Sequence, residues 1–333
     1  MRNLVLALAV LGAVIPRGSE KVSPGQPMPE LELRTVLGGD GRTKLSEFRG
    51  QPVLIAWYST VFAGLEAARA AVKMEEELNG RAPGSRLAVF LMEIKNGDAA
   101  YLRALQMAEL PEARCPLLRT LDLPVAYDDS LGPPPKLVLI GVDGTLLYAG
   151  TYQRAGAVED LVQVELEKME KGWGEDPVVR EARALAFGQG KLGAARQRLE
   201  QAGLEGDERP RLKTELEQRF TALERSVAFH LGQGEPGRAA AAAEALTAAA
   251  SGVPDWVARA SAASATLATP ESKREAELEQ QLQALLKPTL TKKPKEGLDE
   301  KLRAFATGKA AGTKVGERAT RLADAVARIA KGL

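Results

Sequence analysis

The sequence predicts an α/β domain, with a mixed sheet flanked by helices, followed by an all-α domain. Three apolar runs, at 53–58, 86–94 and 136–142, are typical of strands covered on both faces. Helical patterns separate these runs, and Asp143-Gly144 predicts a tight hairpin after the third run. Beyond residue 175 such runs disappear, and alanine-rich helical patterns replace them. Strands separated by helices and closed by an antiparallel hairpin indicate a mixed sheet.

The composition excludes several classes of function. The chain has 333 residues and a formal net charge of +1, from 45 basic and 44 acidic side chains. A nucleic-acid-binding protein normally carries a basic excess, so we expect no nucleic acid partner. The one cysteine, Cys115, and the one histidine, His230, permit neither an intrachain disulfide nor a structural zinc site of about four ligands. A catalytic Cys–His pair would need these two residues to meet from different domains. We therefore expect no metal and no cofactor.

The N-terminus has the layout of a secretory signal peptide. Arg2 is followed by twelve apolar residues at 4–15, which is too short a run to span a bilayer comfortably. Leu11 and Ala13 are candidates for the −3 and −1 positions of a cleavage site, and a buried N-terminal strand or helix is the alternative. We predict that residues 1–21 form a signal peptide or N-terminal anchor with its linker. The protein is then exported to the periplasm or cell envelope, with membrane contact only through an uncleaved segment.

The α/β domain is predicted at residues 22–170. Glycine supplies the positive φ that a tight turn at 38–41 requires, and Asp98 is a candidate helix cap. The predicted strands are 31–36, 53–58, 86–94, 123–127, 136–142 and 146–150, and the predicted helices are 63–78, 98–106 and 157–169.

The all-α domain is predicted at residues 175–333. The pattern Gly-Gln-Gly-x-x-Gly-x-Ala occurs twice, with Gly190 and Gly234 standing 44 residues apart. Each copy lies between helical segments, where small residues such as Ala195 and Ala239 would let two helices approach closely. The pattern resembles the turn of a tetratricopeptide hairpin, although that repeat has a period of about 34 residues. A loop is predicted at 288–297 and a last helical pair at 302–307 and 316–329.

Four features of the α/β domain carry a family resemblance. A Gly-Gln-Pro segment leads into a buried run that ends at Trp57, and a helix follows. Pro135 then begins the third strand, and Asp143-Gly144 begins the closing hairpin. In their order and spacing these features resemble the exported thioredoxin-like redoxins of the TlpA type, relatives of the AhpC/TSA peroxiredoxins. The resemblance implies a thioredoxin-like fold, an active site at the start of the helix after Trp57, and a cis-proline at Pro135.

The active site is where the sequence departs from this family. The family has Trp-Cys-x-x-Cys after the strand, whereas Val61 and Gly64 stand at the two cysteine positions. Alignment of Thr60 with the Thr-x-x-Cys motif of peroxiredoxins places Ala63 at the reactive position instead. Thiol–disulfide exchange needs an attacking thiolate and a second sulfur, and neither alignment supplies them. Together with Trp57, these positions form a degenerate active site, so we expect no inherited enzymatic activity.

Cys115 has two interpretations. It is a small buried hydrophobe, or it is a relocated reactive thiol assisted by Arg114. An intermolecular disulfide also stays open. The first functional hypothesis is therefore a non-catalytic protein that binds a protein or peptide at the Trp57–Pro135 face. The alternative is a thiol-dependent oxidoreductase or peroxidase that uses Cys115, and a third hypothesis assigns the function to the helical domain.

Other chemistry-bearing residues are expected to be structural. His230 falls within a helical pattern and is assigned to packing. Trp173 and Trp256 are assigned to interdomain packing or to the surface. The run Glu75-Glu76-Glu77 is assigned to a solvated helix face.

Overall fold

The computed structural model describes residues 21–58, 62–79, 86–93, 98–109, 115–119, 123–127, 136–286 and 296–331. The predicted signal peptide therefore lies outside the described residues, apart from residue 21.

The first part of the chain forms a six-stranded mixed sheet with the strand order β1-β4-β3-β2-β5-β6. The strands β2, β3 and β4 run parallel to one another, whereas β5 and β6 are antiparallel additions on one side and β1 on the other. This is the arrangement of a thioredoxin-like sheet, and it confirms the predicted fold class. The strands are β1 (Thr35–Leu37), β2 (Val53–Tyr58), β3 (Ala88–Glu93), β4 (Leu117–Leu118), β5 (Lys136–Ile140) and β6 (Leu146–Thr151).

Alternation along β2 separates the two faces of the sheet. Leu54, Ala56 and Tyr58 face a core shared with helices, which are α1 (Phe62–Asn79), α2 (Ala99–Glu109) and α3 (Ala155–Lys171). Val53 and Ile55 face the opposite core, which the N-terminal segment and a 3₁₀ helix at Leu45–Phe48 cover. Both faces of the sheet are covered by a hydrophobic core, which explains why the central strands are continuous apolar runs.

Local sequence features determine where the hairpin turn and the start of α2 lie. Gly144 has a φ of 78° between β5 and β6, and Asp143 Oδ1 accepts a hydrogen bond of 3.0 Å from the Thr145 amide. Asp98 caps α2, because its Oδ1 accepts a 2.8 Å bond from the Tyr101 amide. The predicted hairpin and cap are therefore confirmed.

The strand predicted at 123–127 is wrong. Within it Val125 forms only an isolated bridge, to Val22, and its amide bonds back to the Leu123 carbonyl in a local turn. Pro124 has no N–H to give to a strand ladder. The third parallel strand is instead β4, whose two residues are too few to produce a recognisable sequence pattern.

The described residues after α3 are mainly helical. These helices are α4 (Pro177–Arg183), α5 (Leu192–Ala202), α6 (Glu208–Gln233), α7 (Pro236–Ala250), α8 (Pro254–Ala265), α9 (Pro270–Leu286), α10 (Leu298–Thr307) and α11 (Lys314–Ala330). Trp256 is fully buried in their core and stacks on Phe220 with ring centroids 4.3 Å apart, so its assignment to a domain interface or to the surface is wrong. Among the described helices, none is long and apolar enough to cross a membrane.

The two copies of the glycine pattern lie at helix–helix turns. Gly190 and Gly234 have φ values of 70° and 72°, in the left-handed region that glycine adopts without strain. Ala195 and Ala239, which follow these turns, are completely buried, so the small side chains do allow close helix packing. The derivation of these two hairpins from one repeat stays a prediction.

The sheet region and the helical region are packed against each other. Gly41 and Gly50 both have a φ of 85°, and a Cβ at Gly41 would lie 3.1 Å from Phe229 Cβ. A Cβ at Gly50 would collide with the ring of Phe187. Two phenylalanines of the helical region thus pack directly against two glycines of the sheet region. The division into separate domains at 22–170 and 175–333 stays a prediction.

Two glycines of the repeated pattern provide a matched test of helix packing. A Cβ at Gly193 would collide with the Ser251 carbonyl oxygen, so Gly193→Ala is expected to lower the free energy of unfolding by about 1–3 kcal/mol. Gly232 lies within α6 with no atom within 4 Å of the added Cβ, so Gly232→Ala is expected to raise it by about 0.5–1 kcal/mol. Urea unfolding of both variants measures whether each substitution lowers or raises the free energy of unfolding. Equal effects would contradict the packing of α5 on the end of α7.

The turn between α6 and α7 generates a pH prediction. Burial opposes ionisation of Glu235, but the hydrogen bond from His230 Nδ1 (2.9 Å) and the charges of Arg238 and Arg318 outweigh it and lower the pKa of Glu235 to about 2. A depressed carboxyl pKa stabilises the folded state above the unfolded value of about 4.3, and this contribution is lost as pH falls towards 2. We expect Glu235→Gln to cost on the order of 2–3 kcal/mol at pH 7.

Denaturant titrations of wild type and Glu235→Gln at several pH values between 7 and 3 measure this contribution. The difference between the two proteins should shrink steadily below about pH 4.3, because the wild type then progressively protonates the same carboxyl group. A difference that is constant with pH would show that Glu235 acts through its shape and not through its charge.

Candidate functional site

The candidate site lies at the edge of the sheet where β2 and β3 end and β5 begins. Trp57 and Tyr58 are the last residues of β2, and Tyr58 pairs in register with Glu93 at the end of β3. Lys136 is the first residue of β5, next to the register pair Ala56–Leu137. Parallel and antiparallel pairing therefore bring aromatic and charged residues from three strands to one edge. In open α/β sheets this carboxyl-end edge is the usual location of binding sites.

Trp57 is half-buried and packs edge-on against Tyr127, with ring centroids 5.5 Å apart and an interplanar angle of 71°. The Lys136 ammonium lies 5.2 Å from the centroid of the Tyr127 ring, within the range of a cation–π contact. The indole Nε1 of Trp57 is shielded from solvent and forms no hydrogen bond with a described residue. A shielded donor without an acceptor is costly, and it is a group that a bound carbonyl oxygen would satisfy.

The remaining positions of the degenerate active site fall partly outside the described residues. Thr60, Val61 and Pro135 lie outside them, so the cis-proline assignment stays a prediction. Ala63 and Gly64 lie in the first turn of α1. The structure thus places Trp57 immediately before the helix at which the resemblance puts the reactive motif.

Sequence reasoning missed Glu93 and Lys136 as members of this edge. Both are buried, at 2% and 4% exposure. Glu93 is the last residue of β3 and Lys136 is the first residue of β5, and a charged residue near the end of an apolar run was the available signal. The antiparallel register of β5 against β2 places Lys136 at this edge.

The only thiol of the chain lies in the helix-covered core. Cys115 is 3% exposed and shares its apolar surroundings with Leu37, Val72 and Leu117. Burial raises the pKa of the Cys115 thiol far above its usual range, and the charges of Glu75 and Glu76 raise it further. The thiol is therefore neutral at physiological pH, and a neutral thiol is a poor nucleophile.

Glu75 corrects another sequence expectation. It is only 3% exposed, so the run at 75–77 is not a uniformly solvated face. Asn79 Nδ2 lies 3.4 Å from Glu75 Oε1 and donates a 2.8 Å bond to the Leu87 carbonyl, which ties the end of α1 to β3. A buried carboxylate close to a thiol disfavours the thiolate.

The structure does not join Cys115 to His230. His230 is buried at the end of α6, where it contacts Phe229 and hydrogen-bonds Glu235. Within the described part of the chain, no group of three or more His, Cys, Asp and Glu side chains is arranged to hold a metal ion.

A cavity of about 390 Å³ lies between the glycine-rich turn and Phe229 of α6. Arg42 lines it and is held by Asp40 at 2.6 Å and by Gln51 at 2.9 Å, with its guanidinium 3.7 Å from the Phe48 ring centroid. Burial opposes ionisation of Asp40, but the charge and hydrogen bonds of Arg42 outweigh it and lower the pKa of Asp40 to about 2. Sequence reasoning did not identify this cavity, because its walls are far apart along the chain.

Comparisons with known proteins identify no family. No protein-family model matches the chain, and no curated protein is significantly similar to it. The chain is similar to the thioredoxin domain of a thiol-disulfide oxidoreductase from Bacteroides vulgatus, at 12% identity and a TM-score of 0.31, over 43% of this chain and 99% of that domain. It is also similar to a thiol:disulfide interchange protein from a Bacteroides species, at 12% identity and a TM-score of 0.31, over 43% of this chain and 91% of the other.

A third similar structure is the exposed lipoprotein thioredoxin Etrx1 of Streptococcus pneumoniae. Its identity to this chain is 16%, its TM-score is 0.29, and the match covers 41% of this chain and 99% of the other. The assignment of the fold rests on the strand order and strand directions of the sheet itself.

The surroundings of Cys115 generate a prediction about thiol reactivity. Because the thiol is buried and its pKa is raised, a disulfide reagent such as Ellman's reagent should modify the native protein at least 100-fold more slowly than the urea-unfolded protein. The native rate should also keep rising with pH up to 9 instead of reaching a plateau. Stopped-flow absorbance of both states measures this. A fast native reaction with a plateau below pH 8 would contradict it.

Proposed function

We propose that this protein is a non-catalytic thioredoxin-like protein that binds polypeptide at the Trp57 edge of its sheet. The observation that carries the proposal is the half-buried indole of Trp57, whose shielded Nε1 has no acceptor among the described residues. An extended polypeptide presents carbonyl oxygens at regular spacing, and one such oxygen satisfies this donor. The neighbouring Tyr127 and Trp57 rings add an apolar surface for side chains.

The chemistry of the chain supports binding over catalysis. With a single cysteine, the chain cannot form and resolve a mixed disulfide on its own. That cysteine is buried, and its thiol pKa is raised. An oxidoreductase or peroxidase that used Cys115 would first have to open the core between α1 and the sheet, which would cost much of the stability of the fold.

The N-terminal sequence supports an exported location for this binding function. Arg2 and the apolar run at 4–15 are the layout of a signal peptide. An exported polypeptide-binding protein would act in the periplasm or cell envelope.

The proposal is tested with a permanently unfolded, carboxymethylated protein as the probe, labelled for fluorescence anisotropy. Trp57→Phe removes the donor and keeps an aromatic ring, whereas Trp57→Ala removes both. We expect the affinity for the probe to fall by roughly threefold to tenfold in the first variant, the value of one hydrogen bond, and by more than tenfold in the second.

Trp173→Phe is the matched control, because Trp173 is also half-buried but packs against Phe187 at the junction of the two regions. It should bind the probe like the wild type. Wild-type affinity in Trp57→Ala, with the fold checked by circular dichroism, would refute the Trp57 edge as the binding surface. Absence of probe binding by the wild-type protein would refute polypeptide binding.

A further inference from the structure

Three arginines from both regions of the protein interact electrostatically where α2 meets α11. Arg103 belongs to α2, and Arg318 and Arg321 lie three residues apart, on one side of α11. An exposed ion pair between Arg328 and Asp98, at 3.1 Å, connects the two helices. Met107 of α2 also packs against the apolar core that α11 shares with α9 and α10. The position of this arginine cluster is therefore fixed by the packing around it.

The cluster has an incomplete set of partners. Arg318 is paired, because its Nη1 donates to Glu279 Oε1 at 2.9 Å and to the Gly234 carbonyl at 3.0 Å. Arg321 donates from Nη2 to the Gln233 carbonyl at 3.2 Å, but its Nε is shielded from solvent and has no hydrogen-bond partner. No hydrogen bond or ion pair joins the guanidinium of Arg103, which is half-buried, to a described residue.

The nearby carboxylates already have hydrogen-bond partners. Glu235 accepts from His230 at 2.9 Å and lies 3.4 Å from Arg238. Glu279 accepts from the Gly237 amide at 2.7 Å as well as from Arg318. A third carboxylate, Glu317, interacts electrostatically with Arg321 and accepts a 2.8 Å bond from Lys314 Nζ. Among the described residues, the three arginines of the cluster and Arg238 thus face three carboxylates that already have hydrogen-bond partners.

Such a cluster is unfavourable without a further negative charge. Burial, followed by the charges of Arg321 and Arg318, lowers the pKa of Arg103 to about 10, although Glu235 acts in the opposite direction. An arginine hardly deprotonates at neutral pH, so the cluster keeps its charge and its mutual repulsion. Buried charge of one sign is normally compensated by a counter-charge with good hydrogen-bond geometry.

We propose that Arg103 and Arg321 bind a small oxyanion of the phosphate class between α2 and α11. Each guanidinium offers a planar fork of N–H donors, and such forks match the oxygens of a tetrahedral anion bidentately. Arg103 supplies its unpartnered guanidinium, and Arg321 supplies the unsatisfied Nε edge. A dianion there would pair with one arginine from each region and so fasten the sheet region to the helical region. This site is separate from the Trp57 edge and does not depend on polypeptide binding.

The test uses the full chain and inorganic phosphate, with sodium chloride holding the ionic strength constant. A ligand that binds only the folded state raises the thermal midpoint with its concentration, in a way that follows its saturation of the site. We expect a saturable rise in the wild-type midpoint and at least a tenfold weaker apparent phosphate affinity in Arg103→Gln and Arg321→Gln. In chloride alone, Arg103→Gln should be as stable as the wild type or more stable, because the like-charge repulsion is removed.

Arg274→Gln is the matched control, because Arg274 is an exposed arginine of α9 for which no hydrogen bond or ion pair with a described residue is found. It should keep the wild-type response. Phosphate also stabilises folded proteins by exclusion from their surface, an effect that does not saturate and that every variant shares. A wild-type midpoint that shows no saturable response to phosphate, or an unchanged response in Arg103→Gln, would overturn the proposal.

Equilibrium dialysis of radiolabelled phosphate against the wild-type protein covers the case in which a variant does not fold. Uptake of about one phosphate per chain, displaced by sulfate but not by chloride, supports the site. No uptake at millimolar phosphate would overturn it.

Discussion

The relation between the two regions depends on the close approach of helical side chains to glycine backbone in the sheet region. Gly41 and Gly50 combine a positive φ with direct contact to Phe229 and Phe187. A side chain at either position would be strained by the backbone angle and would also meet the aromatic ring. The positive φ and the close contact with an aromatic ring occur at the same two glycines. A change in either turn of the sheet region would therefore also change how that region packs on the helices.

Charged contacts reinforce this junction without replacing it. Arg225 pairs with Glu47, and Arg219 lies 3.4 Å from the Glu47 carbonyl, so α6 reaches back to the 3₁₀ helix that covers one face of the sheet. Burial and the charge of Arg42 lower the pKa of Arg219 to about 9, while Asp40 acts in the opposite direction. Exposed ion pairs contribute little on their own, so the apolar contacts supply the adhesion and the charges fix the orientation. The helix α2 also packs against α11, which adds a second contact between the two regions.

The sequence predicts those parts of the fold whose signals are local. The strand at 53–58 was predicted with its observed bounds because it is a buried run, and the Asp143-Gly144 hairpin follows from turn chemistry alone. The prediction failed where distant contacts decide. The short strand β4 exists only because β1 and β3 flank it, and the burial of Glu75 depends on how α1 lies on the sheet.

The candidate site shows the same division between local and distant signals. Trp57 was identified from the end of its apolar run, and Tyr127 was not, because the contact of their rings joins segments far apart in sequence. The junction with the helical region was equally hidden, since the bond from Arg219 to Glu47 spans 172 residues. The resemblance to the TlpA-type redoxins pointed to the start of the helix after Trp57, but it carried no information about the helical region.

The position of Cys115 relative to the candidate site argues that its thiol does not act at that site. Residues alternate between the two faces of β2, so the Trp57 side chain packs with the core beneath the N-terminal segment, whereas Cys115 lies in the core beneath the helices. The strands β2 and β3 separate these two cores. A substrate held at the Trp57 edge would therefore have the sheet between itself and the sulfur. Cys115 therefore packs as a small apolar side chain, and the polypeptide binding proposed for the Trp57 edge does not involve its thiol.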